Sequence, residues 1–216
     1  MSESGPIPVG TPAPAGGDPR PAAVTFVTTE HFALQGARSQ TIAESTGRAS
    51  IFLASVSGGL VSLGLIATAT HVGTAFYAFA LILLPTMAFV GLVTFLRVLQ
   101  NGLEDYWYAE RISRLRAYYF EQAPEVTPYL MSVEPERRLE IQGLFGGAFQ
   151  TFLTVAGMTA VITAVLTGAS AGLITSVTTG HALAGSLVVG AICALAAMWA
   201  LMRYQRKIWL RGATPS

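Results

Sequence analysis

Residues 49–96, ASIFLASVSGGLVSLGLIATATHVGTAFYAFALILLPTMAFVGLVTFL, decide the fold of this chain, because they contain no Asp, Glu, Lys or Arg. A membrane-spanning helix needs about 20 apolar residues, so this stretch is long enough for two spans and the turn between them. A helix at the surface of a soluble domain would show polar residues at every third or fourth position, and this stretch shows no such face. The sequence therefore predicts a helical hairpin inside a membrane.

A second stretch, residues 141–202, is also free of acidic and basic residues and is long enough for another hairpin. Charged residues make up 12% of the 216-residue chain, about half of their share in an average soluble domain. We therefore predict an all-α fold. It is a polytopic membrane helical bundle of four transmembrane helices in two antiparallel hairpins, with cytoplasmic helical extensions.

Composition divides the chain into five segments. Residues 1–27 are rich in Pro and Gly and have little to bury, so we expect a disordered cytoplasmic tail. The other four segments are a juxtamembrane helix with spans one and two and the extension of span two (28–121), a cytoplasmic loop (122–144), spans three and four (145–203) and a cytoplasmic C-terminal tail (204–216).

Within those segments, no breaker interrupts residues 29–70, so one helix is expected there. Pro85 lies near the middle of span two and is expected to kink it. Span three is predicted at 145–167, and the Gly-, Ser- and Thr-rich residues 168–180 are predicted to form a turn before span four at 182–202.

Small residues lie on one face of two spans, which allows another helix backbone to approach closely. In span one they are Ser55, Gly58, Gly59 and Ser62. In span four they are Ser186, Gly190 and Ala194.

The basic residues predict the orientation. All 13 of them lie in the N-terminal flank, the central loop or the C-terminal tail, and the two short turns carry none. The positive-inside rule therefore predicts a multi-pass protein of the cell (inner) membrane with both termini in the cytoplasm. Trp199, Tyr204 and Trp209 bracket the last inner boundary, where such aromatic side chains act as interface anchors.

The spans contain no Asp, Glu, Lys or Arg. Enzymes and ion-coupled carriers of the membrane keep ionisable groups at that depth, so we expect neither intramembrane catalysis nor ion-coupled transport through one subunit. His31, His71 and His181 are scattered, and we expect no metal site and no cofactor. The net charge of +1 gives no reason to expect a nucleic-acid partner. The expected partners are membrane lipids, a second copy of the chain or another membrane protein.

Hydroxyl groups recur along span three. In an oligomer this stripe could line a narrow polar pore. In the alternative interpretation, which we favour, each hydroxyl bonds its own helix backbone or a neighbouring helix. The residues of the stripe are Thr151, Thr159, Thr163 and Thr167.

Charged residues flank the first hairpin, and the hairpin brings both flanks side by side on the inner face. Arg38 or Arg48 is therefore expected to pair with Glu104 or Asp105, which would lock the two helices together. Residues 106–119 mix arginines with aromatics and could instead bind anionic lipid headgroups or a cytoplasmic partner. The candidate interaction or ion-pair surface consists of Arg38, Glu44, Arg48, Glu104, Asp105, Arg111 and Arg114.

Four short runs resemble a group of bacterial, actinobacterial-type, four-span membrane proteins with no assigned activity. The resemblance covers residues of about 28 to 160 and implies architecture, with no catalytic residue to transfer. The runs are EHFALQGAR (30–38), GRASIFL (47–53), LLP (83–85) and the segment from LED (103–105) to RISRLR (111–116).

These observations predict a non-enzymatic membrane protein, a scaffold, sensor or accessory subunit that presents a cytoplasmic helical platform. The alternative is an oligomeric channel or permeation pathway lined by the threonines of span three.

Overall fold

The computed structural model of the chain describes residues 20–122, 153–180 and 182–212. Within those ranges it forms four helices, each long and apolar enough to cross a membrane, which confirms the predicted all-α bundle with four spans. The helices are α1 (Arg20–Thr70), α2 (Thr74–Gln122), α3 (Val155–Thr178) and α4 (Leu183–Gly212).

Helices α1 and α2 form one long antiparallel hairpin. They contain 51 and 49 residues, so each is about 75 Å long at a rise of about 1.5 Å per residue. Between them the chain reverses over only three residues, of which His71 and Val72 have positive φ values of 47° and 56°. The Val72 amide donates to the Ala67 carbonyl at 3.1 Å and closes the end of α1. The first predicted hairpin is thereby confirmed.

Helix α1 begins earlier than the sequence predicted. It starts at Arg20, so residues 20–27, expected to belong to the disordered tail, are helical. Pro21 lies in the first turn, where a missing amide N–H removes no hydrogen bond. The remaining residues of the predicted tail, 1–19, lie outside the described ranges. Helix α2 continues through Pro85 without ending there.

Helix α3 lies later in the chain than the predicted span three, at 145–167. It covers Val155–Thr178, so most of the predicted turn at 168–180 is helical and the chain reverses only after Thr178. The N-terminal part of the predicted span, up to residue 152, lies outside the described ranges. In soluble proteins, a run of serine and threonine indicates a turn. In a membrane, the backbone must form its hydrogen bonds within the protein, and this favours a helix.

Glycines bring α3 and α4 close together. An ideal Cβ added to Gly168 would lie 2.5 Å from the carbonyl oxygen of Gly190 and 2.6 Å from the Cβ of Ala194. A Cβ on Gly172 would lie 3.0 Å from the carbonyl oxygen of Ser186. The small face predicted for span four is thus the face that receives α3, as helix pairs with small residues at four-residue spacing do in membranes.

The small face predicted for span one behaves differently. Gly59 is buried, and an added Cβ would collide with the side chain of Met87 in α2. Gly58 has no atom within 4 Å of such a Cβ. Ser55 and Ser62 are exposed, and their hydroxyls donate to carbonyls one turn earlier in α1. Close packing in this span therefore holds for Gly59 and not for the other three residues, which lie on the outer face of α1.

The bundle is arranged as a row in which α1 packs on α2, α2 on α3 and α3 on α4. Halfway along the spans, a core joins Phe52 and Val56 of α1 to Leu84 of α2 and Leu166 of α3.

A second core closes the end of the bundle opposite the two short turns. It contains Phe95 and Leu99 of α2 and Ala160 of α3, with Met202 and Trp209 of α4 packed against it. This end is the charged side of the bundle, because the charge-free stretches end here.

We expect Gly168→Ala to destabilise the α3–α4 hairpin by about 1–3 kcal/mol, since the new methyl group meets backbone atoms that cannot move aside independently. The matched control is Gly185→Ala in α4, where an added Cβ meets nothing within 4 Å. The free energy of unfolding in detergent, followed by circular dichroism, measures both variants. Equal stability of the two would contradict the close contact.

Candidate functional site

The most distinctive feature of the fold is the continuation of α1 and α2 beyond the charge-free stretches. We call residues 20–48 of α1 together with residues 97–121 of α2 the arm. At about 1.5 Å per residue each half extends about 40 Å from the charged side of the bundle. The two halves are similar in length and antiparallel, and side-chain contacts join them near the bundle, in the middle and near the end.

An ion pair joins the middle of the two halves. The Arg38 guanidinium donates from Nε to Oδ1 of Asp105 at 2.7 Å and from a terminal nitrogen to Oδ2 at 3.3 Å. The two side chains are 33% and 27% exposed. A two-point contact fixes the guanidinium plane as well as its distance, so this pair also sets the rotation of one helix against the other. One of the predicted cross-hairpin pairs is thereby confirmed.

A second group of charges lies where the arm meets the bundle. Glu44 accepts hydrogen bonds from Arg48, one turn along α1, at 2.8 Å and from Arg97 of α2 at 3.3 Å. The hydrogen bond from Arg48 is the main cause that lowers the pKa of the Glu44 carboxyl, and Arg97 adds to it against an opposing effect of desolvation. One carboxylate therefore holds two cations and links the two helices.

Aromatic and polar groups join the halves near the end of the arm. The Tyr119 hydroxyl donates to the Thr28 hydroxyl at 3.1 Å. The Tyr119 ring also meets the His31 ring edge-on, with 6.1 Å between centroids. The Gln35 amide lies 2.8 Å from Nε2 of His31. Burial, together with the Arg116 guanidinium, lowers the pKa of His31.

Between these polar contacts the arm has an apolar seam and one shallow groove. Leu34 and Ile112 are buried along the seam. The groove has a volume of about 310 Å³. Its lining residues are Glu30, Leu34, Arg111, Arg114 and Leu115.

Most residues of the predicted charge surface belong to separate ion pairs and do not form one cluster. Arg48 pairs within its own helix and not with Glu104 or Asp105, because it lies one turn from Glu44. Arg114 pairs with Glu110 of its own helix at 3.3 Å. Glu104 is exposed, and no ion pair to another described residue includes it.

Arg97 is a bridging residue that the sequence reasoning did not single out. In the sequence it is one of the basic residues between spans two and three, and its position opposite Glu44 follows from the hairpin. In a hairpin with a three-residue turn, residues at similar distances from the turn face each other. That signal was present in the sequence.

Large apolar side chains point outward from the arm. Phe26 is 75% exposed and Phe32 is 70% exposed, and Ile42 and Trp107 are both at least half exposed. Lipid covers such side chains in the spans, but the arm extends well beyond them. A contiguous patch of such groups outside a membrane marks a surface that another molecule covers, whereas single apolar residues are common on any protein surface.

The described hydroxyls of the span-three stripe are engaged with their own helix. Thr159 donates to the Val155 carbonyl, Thr163 to that of Thr159, and Thr167 to that of Thr163. Thr159 and Thr163 are buried in the bundle, and Thr163 packs at Gly91 of α2. Thr151 lies outside the described residues. The backbone-bonding interpretation therefore has direct support, whereas the pore interpretation gains none from the described positions.

A run of the form Gly-x-Ser-x-Gly, GASAG at 168–172, was overlooked in the sequence reasoning. In hydrolases this pattern marks a nucleophile on a sharp turn between a strand and a helix. Here it lies inside α3, and the Ser170 hydroxyl is buried and donates to the Leu166 carbonyl. Its two glycines are those that contact α4, so packing accounts for the pattern.

The described ranges contain no group of three His, Cys, Asp or Glu side chains that could hold a metal ion. His71 lies in the first short turn, and His181 is outside the described residues. Cys193 is a free, half-buried thiol in α4.

Comparison of the chain with protein-family models found no match, and searches of curated proteins and of solved structures found no similar chain. The resemblance to bacterial four-span membrane proteins thus stays a prediction.

We expect loss of the central ion pair to loosen the arm. Asp105→Asn or Arg38→Gln should each lower the free energy of arm opening by about 1 kcal/mol, because the pair is half-buried and joined by two hydrogen bonds. Exchange of the charges, Arg38→Asp with Asp105→Arg, should restore part of that loss. Hydrogen exchange of the arm amides gives the measurement. Arg114→Gln is the matched control, because that arginine is 74% exposed and, within the described part of the chain, pairs only with Glu110 of its own helix. An equal effect of the control would show that the central pair has no special role.

We also expect the end of the arm to loosen in acid. Because the pKa of His31 is lowered from 6.5 in the folded arm, folding favours the neutral ring. Its contribution is complete above pH 6.5 and is lost as the pH falls through the folded pKa. Protection factors, which correct hydrogen exchange for its intrinsic pH dependence, should therefore fall for the amides near Thr28 and Tyr119 as the pH is lowered from 8 to 5. His31→Gln should abolish this fall in the protection factors. If the fall persists in the variant, another group causes it.

Proposed function

We propose that this chain is a non-enzymatic scaffold or accessory subunit of the cell (inner) membrane, whose arm presents a binding surface to a partner in the cytoplasm. The observation that carries the proposal is that ion pairs join the two helices of the arm. Two membrane helices continue as a paired extension of about 40 Å, joined by the Arg38–Asp105 and Arg97–Glu44 contacts.

The contacts of the arm support a rigid presentation of its surface. Most of the stability of a helix in a protein comes from the packing of its apolar face, and pairing of the two halves buries the seam at Leu34 and Ile112. Cross-helix contacts occur near the membrane, in the middle and near the end, at Glu44, Arg38 and Thr28. A rigid surface loses less conformational entropy on binding than a flexible tail does.

The outer surface of the arm supports binding rather than simple spacing. Phe26 and Phe32 are at least 70% exposed on α1. A spacer in water has no need of exposed aromatic side chains, and aromatic residues are enriched in the cores of protein interfaces. The shallow groove places Glu30, Arg111 and Arg114 beside an apolar floor, which favours a partner with an apolar anchor and polar groups around it.

The distribution of charge supports the cytoplasmic location of the arm. All basic residues of the chain belong to its charged side or to the segments that adjoin it, and the short turns at the other end carry none. In bacterial membranes the side rich in Arg and Lys is the inner one. The arm would then reach proteins of the cytoplasm.

The channel alternative has no observation of its own in the described residues. Its lining hydroxyls at Thr159 and Thr163 are buried inside one chain, so they have no surface to share with a lumen between copies. The scaffold proposal is therefore the one that the geometry favours.

Photo-crosslinking in native membranes tests the scaffold proposal. A photoreactive amino acid at Phe32 should give a discrete adduct with one cytoplasmic protein, because that side chain is 70% exposed. The same group at Leu65, 66% exposed in the charge-free part of α1, should give lipid adducts instead. Arg38→Glu, which places two negative groups opposite each other, should weaken the Phe32 adduct.

Two results would contradict the proposal. One is the lack of a protein adduct at Phe26, Phe32 and Trp107 alike. The other is solute flux through reconstituted liposomes that Thr163→Leu abolishes, which would establish the channel instead.

A further inference from the structure

The end of α4 carries a group of basic residues that the arm does not use. Helix α4 continues without interruption past the last charge-free position, Met202, to Gly212. Arg203, Arg206 and Lys207 follow on its exposed side. At three- and four-residue spacing these side chains are neighbours on the helix surface, with about 5–6 Å between Cβ atoms.

The opposite side of the same turns is fixed to the bundle. The Trp209 ring packs against the core at the charged side and meets the Tyr106 ring edge-on, with 6.1 Å between centroids. Gln205 is buried, and its amide donates to the Thr154 hydroxyl at 3.2 Å. The basic residues are therefore held on a rigid helix and do not belong to a loose tail.

These cations differ from those of the arm in their contacts with the carboxylates of the described residues. In the arm, Arg38, Arg97 and Arg114 each contact a carboxylate. Arg203, Arg206 and Lys207 contact no carboxylate among the described residues. Positive groups gathered on a rigid surface without acidic neighbours attract an anion from outside the chain.

An aromatic residue places this group at the surface of the membrane. Trp199 lies one turn before Arg203, is 64% exposed, and has the Arg203 guanidinium 5.1 Å from its ring centroid. Exposed tryptophan is typical of the boundary between acyl chains and headgroups. The cation held over the ring thus lies at the level of lipid phosphates.

We propose that Trp199, Arg203, Arg206 and Lys207, together called the α4 patch, bind the phosphate of an anionic phospholipid. The indole packs against the upper acyl chain, and the guanidinium over its face donates hydrogen bonds to the phosphate oxygens. Arg206 and Lys207 supply the further positive charge that selects an anionic lipid over a zwitterionic one.

The position of the α4 patch distinguishes it from the arginines of the arm. Arg111 and Arg114 lie 14 and 17 residues beyond Arg97, which places them about 20 Å or more from the membrane boundary. At physiological salt the Debye length is about 8 Å, so the surface charge of a membrane is largely screened there. The expectation that residues 106–119 contact headgroups is accordingly less favoured than contact at the α4 patch.

Native mass spectrometry of the full-length chain in detergent, titrated with phosphatidylglycerol or phosphatidylcholine, tests the proposal. The wild-type chain should retain phosphatidylglycerol in preference to phosphatidylcholine. Replacement of Arg203, Arg206 and Lys207 together by Gln should weaken phosphatidylglycerol binding by about tenfold or more, since each cation near a membrane surface contributes about 1 kcal/mol, and 1.4 kcal/mol is tenfold.

The matched control is Arg111→Gln with Arg114→Gln, which removes two arginines of the arm and should change phosphatidylglycerol binding less than twofold, an expectation based on screening over about 20 Å. A second variant, Arg203→Lys, keeps the charge but loses the planar stack on Trp199, and should show intermediate binding. Circular dichroism establishes that each variant keeps its helices.

Three outcomes would overturn the proposal. The first is unchanged binding of phosphatidylglycerol by the triple variant with intact helices. The second is equal retention of phosphatidylcholine by the wild-type chain. The third is displacement of the lipid by millimolar inorganic phosphate, which would make the α4 patch a general anion site. The Phe32 adduct with a cytoplasmic protein depends on the arm, so failure of either proposal can be recognised separately.

Discussion

The three-residue turn between α1 and α2 is the constraint on which most of the structure depends. It fixes the register of two helices of about 75 Å, so that residues at similar distances from the turn face each other over their whole length. Arg38 lies 34 residues before Val72, and its partner Asp105 lies 33 residues after it. A longer, looser connection would leave this register to the side chains alone, and single exposed ion pairs are too weak to set it.

The membrane imposes the second constraint, because backbone groups inside it must find their hydrogen bonds within the protein. Residues that end helices in water therefore stay helical in α3. There Gly168 and Gly172 allow α4 to approach, and the hydroxyls of Thr163 and Ser170 donate to carbonyls of the same helix. The price of a polar side chain is small when its hydroxyl bonds the preceding turn. Close packing and hydroxyl bonding thus explain features that resemble a turn, a pore lining and a nucleophile motif in the sequence.

The sequence predicted the fold well, since the absence of charge over two long stretches leaves few alternatives to four spans. It also predicted the Arg38–Asp105 pair, through the hairpin. It placed the end of span three wrongly because propensities drawn from soluble proteins were applied inside a membrane. The role of Arg97 was not predicted, although the register of the hairpin places this residue opposite Glu44. The exposure of Ser55 and Gly58 could not be predicted, since adjacent positions on a helix differ by about 100° and only packing decides which one faces a neighbour.

The cations of the charged side divide into two kinds, and the division separates the two roles proposed for this end of the molecule. Those that pair across the arm, Arg38 with Asp105 and Arg97 with Glu44, each contact a carboxylate, so they stiffen the arm and contribute less to its electrostatic potential. Arg203, Arg206 and Lys207 contact no carboxylate among the described residues, and they lie on a helix whose Trp209 contacts Tyr106 of α2. A lipid held there would press on the helix that borders the arm at its origin. The contact between Trp209 and Tyr106 is thus the place where the proposed lipid site adjoins the arm, and no ion pair among the described residues joins the two.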